Sequence, residues 1–419
     1  MNLERQINLI GKHAREASYE LGLLTNKKKN ECLIAASKNI KIKQAVILKA
    51  NKKDMVNAKQ KKLTPALMDR LKLDENRINS ICKGLIEITK LKDPVGQVLS
   101  SWKRPNGLKI EKVSVPLGVI GVIYESRPNV AADAAALCLK SSNATILRGG
   151  SESFHSSSII IDTINETYKK MGLPKGSLQK IPTTNRDAVG YFLKLDEYID
   201  VFVPRGGRSL IERVIKESRV PVFRHLDGIC HTYIHKSANK DLASNIVVNA
   251  KMRRPGICGA TETLLIDKDA VESHLPLIIK ELKILKCELR VDKYILNFDK
   301  TLKKAIKKDW ETEYLDSILS IKTIEGGVNE AIEHINNFGS GHTDSIIAED
   351  KKLVELFLNK VDSGIVMHNT STQFADGGEF GMGAEIGIST SKLHARGPVG
   401  VSQLTSFKYK VKGNGQIRK

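Results

Sequence analysis

After Pro116, short apolar runs and helical segments alternate regularly along the chain, and this alternation limits the possible folds more than any other property of the sequence. The alternation restarts after Cys230 and continues to about residue 367. It is typical of βαβ units, in which parallel strands form a sheet and helices cover both faces. The sequence therefore predicts an α/β protein with two doubly wound parallel-sheet lobes, an architecture that binds nucleotides at strand carboxyl ends. The predicted strands of the first lobe are 118–124, 144–147, 178–181, 201–203 and 220–223.

Two segments before Pro116 have a different pattern. The first ninety or so residues are polar and carry Ala, Leu and Ile at helical spacing, which predicts a helical N-terminal segment. Residues 98–113 contain two amphipathic runs around the turn Pro105-Asn106-Gly107, a pattern that predicts a β-hairpin. Such a hairpin has no obvious place in a parallel sheet.

Charge and composition narrow the function classes. The 67 Lys and Arg exceed the 47 Asp and Glu, giving a net charge of +20, but the basic residues are scattered and only 5% of residues are aromatic. Nucleic-acid binding, which needs a concentrated basic face and stacking aromatics, is therefore a minor alternative to a generally cationic surface. No apolar run reaches the roughly 18 to 20 residues of a membrane span. The 6 widely spaced cysteines fit a reducing compartment, so we expect a soluble cytoplasmic protein.

Cys258 is the candidate nucleophile among these cysteines. A glycine lies within two positions on each side of it, and Lys251, Arg253 and Arg254 precede it. A thiol on a glycine-flanked turn beside cations is placed to form a thiolate. The alternative is that Cys258 is a small buried hydrophobic residue, as most lone cysteines are.

Two glycine-rich turns follow predicted strands and open predicted helices. Each turn is expected to leave backbone N–H groups and a helix N-terminus free for an anion, with arginines as counter-charges. Neither matches a dinucleotide or Walker motif, so ordinary tight turns remain an alternative. The turns comprise Arg148, Gly149 and Gly150, and Gly206 and Gly207 between Arg205 and Arg208.

His231 and His235 have the spacing of a zinc-binding pair on a helix. The residues between them favour a strand, in which positions four apart are separated by roughly 13 Å. No metal site is therefore predicted.

Five segments together resemble the gamma-glutamyl phosphate reductase family of the aldehyde dehydrogenase superfamily. They are VPLGVIGVIYESRPNV, NAKMRRPGICGATETLL, DWETEYLDSILSIK, NNFGSGHTDSI and FADGGEFGMGAEIGISTSKLHARGPVG, and the resemblance runs from about residue 5 to the C-terminus. It implies an NADP-binding domain (1–97 and 114–228), a catalytic domain (229–367), a glycine-rich return segment (368–397) and an oligomerisation arm (98–113 and 398–419). A homo-oligomer is expected.

The resemblance also implies roles for single residues. Cys258 would be the nucleophile, Asn129 an oxyanion donor, and Glu313 a ligand of the nicotinamide ribose. Arg148 lies where it would meet the 2′-phosphate of NADP, and the two glycine turns would contribute to cofactor binding. The implied reaction is the NADPH-dependent reduction of L-glutamyl 5-phosphate to L-glutamate 5-semialdehyde, the second step of proline biosynthesis.

Three positions depart from related patterns. At one of them, the segment His225-Leu226-Asp227-Gly228 stands where aldehyde-oxidising relatives carry a water-activating glutamate, which fits a reaction that needs phosphate rather than water. Gly259 replaces an expected asparagine and Ser151 an expected lysine. The alternative within enzymes is an NAD(P)-dependent aldehyde dehydrogenase with another substrate.

Overall fold

The computed structural model describes residues 2–224 and 226–418, so the prediction at His225 lies outside the described residues. The chain forms two compact units. The first unit comprises Met1–Arg224, Gly381–Gly387 and Val399–Lys419, and the second comprises His225–Phe380 and Ile388–Pro398.

The helices and strands alternate through most of both units. The helices are α1 (Leu3–Leu21), α2 (Asn26–Ile42), α3 (Gln44–Gln60), α4 (Pro65–Leu71), α5 (Glu75–Lys90), α6 (Asn129–Lys140), α7 (Phe154–Lys170), α8 (Asp187–Leu193), α9 (Arg208–Glu217), α10 (Lys240–Met252), α11 (Val271–Ile284), α12 (Lys293–Phe298), α13 (Gly327–Phe338) and α14 (Lys351–Lys360). The strands are β1 (Val98–Lys103), β2 (Lys109–Pro116), β3 (Val119–Tyr124), β4 (Ala144–Gly149), β5 (Leu178–Lys180), β6 (Val201–Arg205), β7 (Cys230–Ile234), β8 (Thr261–Asp267), β9 (Glu288–Val291), β10 (Lys303–Lys304), β11 (Ile318–Ile324), β12 (Thr343–Ile347), β13 (Ile365–His368), β14 (Ile388–Ser389), β15 (Gly397–Pro398) and β16 (Thr405–Lys412).

Five helices, α1 to α5, precede the first strand, which confirms the helical prediction for this segment. Side-chain oxygens cap the N-termini of α1, α2 and α5: Asn2 accepts from Arg5 N, Thr25 from Lys28 N and Asp74 from Arg77 N. Each such cap satisfies an N–H group that has no partner within its own helix.

The first unit contains a parallel sheet in the order β5-β4-β3-β6. Every residue of β3 is buried, as expected for a strand with neighbours on both edges and helices over the sheet. Ile120 of β3 pairs with Thr145 of β4 and Val201 of β6. Four of the five strands predicted in this lobe are confirmed. The strand predicted at 220–223 is wrong, because this segment makes only an isolated bridge and Pro221 has no N–H to donate to a ladder.

The predicted hairpin exists, with its turn at Pro105-Asn106-Gly107 and a third strand added from the C-terminal tail. The order is β1-β2-β16, all antiparallel. Gly107 has φ +90°, which glycine adopts without strain. Trp102 of β1 and Tyr409 of β16 stand edge to face, with ring centroids 6.1 Å apart. The sheet leaves β1 and β16 as outer strands.

The second unit contains a seven-stranded parallel sheet in the order β10-β9-β11-β8-β7-β12-β13. Its predicted strands near 231–235, 261–266 and 365–367 and its predicted helix at 241–252 are confirmed. Helices α10 and α11 pack on one face through residues such as Val247 and Leu275, whereas Phe357 of α14 belongs to the apolar cluster on Tyr233. The turns that precede β7 and β8 carry the residues of the candidate site.

Candidate active site

Cys258 lies on the turn that joins α10 to β8. Helix α10 ends at Met252 with Arg253 as its C-terminal cap, and Pro255 follows. Cys258 is half-buried, whereas four of the other five cysteines are buried. The nucleophile candidate therefore sits at the amino edge of the parallel sheet, in contrast to the carboxyl-edge location that the fold class favours for nucleotides.

The backbone of Gly228, just before β7, packs directly on that of Cys258. A Cβ at Gly228 would lie 2.2 Å from Cys258 O and 2.6 Å from Cys258 Cα. Cys230 Sγ also donates to Cys258 O at 3.1 Å. These contacts fix the turn, and they require glycine at position 228.

Glu313 joins the same arrangement. Its Oε1 accepts from Gly228 N at 2.9 Å, although the two residues are 85 positions apart. Gly228 thus contacts both Cys258 and Glu313, the two residues that the sequence had indicated. Sequence reasoning missed Gly228 itself. The only signal for Gly228 was its place in the segment His225-Leu226-Asp227-Gly228.

Lys251, one of the three cations expected to favour a thiolate at Cys258, forms an ion pair with Glu262. Its Nζ lies 2.5 Å from Glu262 Oε2, and both side chains are fully buried. Burial raises the pKa of Glu262 to about 7, against the effect of the Lys251 charge. When Glu262 is ionised the pair has no net charge, so Arg253 and Arg254 are the cations that remain near the turn.

Burial raises the thiol pKa of each of the other five cysteines. It raises the pKa of Cys32 and Cys287 to about 11 and that of Cys138 to about 12. It also raises the pKa of Cys82 and, well above the ordinary value, that of Cys230. A raised pKa reduces the thiolate fraction near neutral pH, so these thiols are poor nucleophiles.

Gly259 packs against the segment that follows β13. A Cβ at this position would lie 3.2 Å from Thr372 O and 3.7 Å from Gln373 Cα. The side chain of the asparagine expected here would therefore point at residues 372–373.

Asn129 lies in the first unit, at the start of α6. Its Nδ2 donates to Asp133 Oδ2 at 3.0 Å, one turn further along the helix. Burial raises the pKa of Asp133 to about 6, although Asn129 and Arg205 oppose the rise. The bond holds the Asn129 amide and uses one of its two N–H donors.

Arg148, at the end of β4, is 7% exposed, and its Nη2 donates to Thr184 O at 3.4 Å. Its Nε has no hydrogen-bond partner. Burial lowers the pKa of this guanidinium, while Glu152 and Glu125 oppose the effect. A buried cation with an unsatisfied donor is suited to a ligand anion.

Lys61 approaches the same turn from the end of α3. Its Nζ lies 3.5 Å from Ser151 Oγ, and the ammonium is exposed. A lysine therefore reaches the position where Ser151 replaces the expected lysine. Sequence reasoning missed Lys61 because 90 residues separate it from Ser151.

The prediction of free N–H groups at the two glycine turns is wrong for Gly150 and Gly207. Gly150 N donates to Tyr124 O at 2.7 Å, and Gly207 N donates to Glu125 Oε2 at 2.8 Å. Gly149 packs on the Tyr124 ring, and a Cβ at Gly206 would lie 2.5 Å from Glu125 Oε2. The N–H groups of Gly150 and Gly207 are therefore already engaged within the chain.

The two histidines of the rejected zinc pair have separate partners. His231, on β7, lies 2.9 Å from Asp344 Oδ1, whereas His235 contacts Ser237 Oγ at 2.9 Å. The strand prediction is confirmed for His231, whereas His235 follows the last residue of β7. Within residues 2–224 and 226–418 no group of three or more His, Cys, Asp or Glu side chains is arranged to hold a metal ion.

Comparison with known proteins identifies the family. The aldehyde dehydrogenase family profile matches residues 4–294. The gamma-glutamyl phosphate reductase of Paramagnetospirillum magneticum is 55% identical over 417 residues, covering 100% of this chain and 98% of that protein. This chain belongs to the gamma-glutamyl phosphate reductase family. The crystal structure of gamma-glutamyl phosphate reductase from Thermotoga maritima has a TM-score of 0.96 at 39% identity, covering 99% of this chain and 100% of that one.

Membership in this family confirms the resemblance and the fold class inferred from the sequence. An acetylating aldehyde dehydrogenase from Geobacillus thermoglucosidasius shares the fold, with a TM-score of 0.69 at 17% identity over 100% of this chain and 98% of that one. The chain is an oxidoreductase with a small-molecule substrate, and its cofactor class is a nicotinamide dinucleotide. No helix in the described part of the chain has the length and hydropathy to cross a membrane.

Proposed function

We propose that the protein reduces L-glutamyl 5-phosphate to L-glutamate 5-semialdehyde and phosphate with NADPH, the second step of proline biosynthesis from glutamate. The observation that carries the proposal is the 55% identity to a gamma-glutamyl phosphate reductase along the whole chain. The half-buried Cys258 on its glycine turn supplies the thiol that this chemistry needs. A cytoplasmic location fits the reduced cysteines.

Cys258 carries the covalent steps. Its thiolate attacks the acyl carbon, a C–S bond forms, and the C–O bond to phosphate breaks with its electron pair leaving on phosphate. When bound, a nicotinamide cofactor would supply the hydride that reduces the resulting thioester to a thiohemiacetal. The thiohemiacetal then collapses, which releases the aldehyde and returns the thiolate. Phosphate is a good leaving group, so little acid assistance is needed.

Asn129 is proposed to donate a hydrogen bond to the negative oxygen at both tetrahedral stages, together with backbone N–H groups. The hydrogen bond to Asp133 supports this role, because it fixes the amide while leaving one N–H for the ligand.

NADP is the proposed dinucleotide, and the residues at the end of β4 fit its extra phosphate. Arg148 offers a buried guanidinium with an unsatisfied Nε, and Lys61 places a second cation at Ser151. The Glu152 carboxylate also lies at this turn, where it accepts from Ser151 Oγ at 2.8 Å. Its negative charge opposes the binding of an anion. Gly149 and Gly150 shape this turn.

Gly206, Gly207 and Glu313 complete the proposed cofactor contacts. A dinucleotide phosphate at the turn of Gly206 and Gly207 would displace Glu125 from Gly207 N. Glu313 is proposed to accept from the nicotinamide ribose, and the bond from Gly228 N holds one of its oxygens in place beside the Cys258 turn.

Self-association is proposed through the antiparallel sheet of β1, β2 and β16, which we call the arm. Among the described residues each outer strand pairs along one edge only, and exposed apolar side chains include Val98, Phe407 and Val411. Open edges of this kind favour pairing with another chain.

The proposed function is tested by following NADP reduction with glutamate 5-semialdehyde in the presence and absence of phosphate. Position 225 carries histidine rather than a water-activating glutamate, so phosphate must resolve the thioester. Oxidation should require phosphate or arsenate. Comparable turnover without either anion would contradict the proposal, as would no turnover with them.

A further inference from the structure

A cavity of about 290 Å³ lies in the second unit beside α10. One wall comes from α10 and its cap, including Asn249 and Arg253, and the other from residues 369–379, including Gln373, Phe374 and Glu379. Its volume is close to the lower end of the range for small-molecule pockets. A wider groove of about 710 Å³ shares Asn249 and Arg253 with it and provides an open route from solvent.

The cavity adjoins the nucleophile turn. Gly259, the residue after Cys258, packs against Thr372 O and Gln373 Cα, and Gln373 lines the cavity. In a glutamyl chain, three carbon–carbon bonds separate the reacting acyl carbon from the α-carbon, a reach of about 4 Å, similar to one residue of backbone. This reach is similar to the step along the chain from Cys258 to Gly259, the residue that packs on the cavity wall at Gln373.

The cavity lining carries one cation and one anion, Arg253 and Glu379. Asn249 adds an uncharged polar group, and Ile246 and Phe374 add apolar surface. The α-carbon of a free amino acid bears a carboxylate and an ammonium, with methylene groups leading away from it. The lining thus matches each part of such a molecule in charge or polarity.

Arg253 is held by a buried amide. Its Nη1 donates to Gln373 Oε1 at 3.3 Å, and Gln373 Nε2 donates to Ala250 O at 2.8 Å. Gln373 is only 5% exposed, whereas Arg253 is exposed at the cavity. This contact uses one of the five guanidinium N–H donors, so a bidentate pair with a carboxylate remains available.

We propose that this cavity binds the α-amino-acid end of the substrate, with Arg253 pairing with the α-carboxylate and Glu379 with the α-ammonium. Gln373 is a positioning residue for Arg253. The identity of the substrate rests on the proposed function, and the cavity restricts the reaction to aldehydes and acyl phosphates that carry both charged groups.

Two aldehydes that each lack one charged group test the Arg253 contact and the Glu379 contact separately. In phosphate buffer with NADP, the Michaelis constant is measured for glutamate 5-semialdehyde, for 5-oxopentanoate, which lacks the ammonium, and for 4-aminobutanal, which lacks the carboxylate. An analogue that does not turn over is followed as a competitive inhibitor, so every variant yields a constant. Arg253→Gln should weaken binding of the first two by about 10- to 100-fold, the value of a charged hydrogen bond, and leave 4-aminobutanal unchanged.

Glu379→Gln should show the opposite selectivity. It should weaken the binding of glutamate 5-semialdehyde and of 4-aminobutanal by about tenfold or more and leave the binding of 5-oxopentanoate unchanged. Gln373→Leu should resemble Arg253→Gln in milder form, and Arg253→Lys should restore part of the affinity for the carboxylate-bearing aldehydes. Two control variants remove exposed charges of α11. Lys280→Gln removes a positive charge, as Arg253→Gln does, and Glu272→Gln removes a negative charge, as Glu379→Gln does; neither should change the binding of any of the three compounds.

Equal effects of Arg253→Gln on both analogues, or no effect on glutamate 5-semialdehyde, would overturn the assignment. Unchanged binding of the insensitive analogue shows that each variant is folded. Failure of the wild-type enzyme to oxidise glutamate 5-semialdehyde would instead count against the proposed function. In that case equilibrium titration of the two analogues still tests the cavity, because their opposite responses to the two substitutions do not depend on turnover.

Discussion

Gly228 touches Cys258 so closely that its missing Cβ would fall 2.2 Å from the Cys258 carbonyl oxygen. The same glycine donates its N–H to Glu313. One backbone position therefore sets both the turn that carries the candidate nucleophile and the carboxylate proposed to hold the cofactor ribose.

Gly228→Ala should reduce kcat strongly while the protein stays folded. The added methyl group meets backbone rather than a flexible side chain, so the Cys258 turn must move by about an ångström, and misplacement on that scale costs on the order of 10² in rate. Steady-state kinetics and a thermal melt check this result. Gly190→Ala, where the nearest neighbour of a Cβ is 4.0 Å away, is the control and should have wild-type kinetics. A Gly228→Ala enzyme with unchanged kcat would show that the contact is unimportant.

Arg148→Ala and Lys61→Ala should each weaken NADPH binding by about 10- to 100-fold and leave NADH binding nearly unchanged. The reason is that both cations are proposed to meet the 2′-phosphate, which NADH lacks. Fluorescence titration with each cofactor measures the ratio of the NADPH and NADH dissociation constants. Lys62→Ala removes the neighbouring exposed charge and serves as the control. An NADPH to NADH ratio that stays constant in both variants would refute this part of the proposal.

Asn129→Ala should lower kcat by about 10² to 10³, as for loss of one oxyanion donor. Asp133→Asn keeps the shape of the partner but removes its charge, so it should lower kcat less. Single-turnover reduction of glutamyl phosphate measures the effect on the chemical steps. If Asn129→Ala left that rate at the wild-type value, the proposed oxyanion role would be untenable.

Removal of β16 should abolish the oligomer that the full chain is proposed to form. A chain truncated after Thr405 keeps the buried Leu404, whose carbonyl accepts from Asn143 Nδ2, but loses the outer strand of the arm. Sedimentation velocity should show a smaller species or aggregate, because β2 then becomes an unprotected edge. A chain that ends at Lys412 retains β16 and should sediment like the full chain. Identical sedimentation of both truncated chains would argue against the arm as the interface.

Much of the fold could be predicted from the sequence, because parallel strands buried on both faces appear as continuous apolar runs. The runs at β3, β4 and β7 gave correct strands for this reason. The segment 220–223 has the same apolar character, but its pairing was limited by Pro221. The two-residue strand β10 is made of lysines and carries no hydrophobic signal.

The site could be predicted only in part. Cys258 and Arg148 were found because glycine turns and neighbouring charges mark them locally. The contacts of Gly228 with Cys258 and Glu313, and of Lys61 with Ser151, join residues far apart in the chain, and no local pattern indicates them. The pairing of Lys251 with Glu262 was also missed, because strand residues such as Glu262 reveal their partners only once the sheet is formed.

The measurement that tests the proposed mechanism most directly is mass spectrometry of enzyme that is incubated with glutamyl phosphate without cofactor and then quenched in acid. A thioester should accumulate, and peptide mapping should place a single glutamyl group on Cys258, with none on the Cys258→Ala enzyme. The pKa values raised by burial make the other five thiols weak competitors. A glutamyl group mapped to another cysteine, or reductase activity near the wild-type rate in Cys258→Ala, would contradict the mechanism.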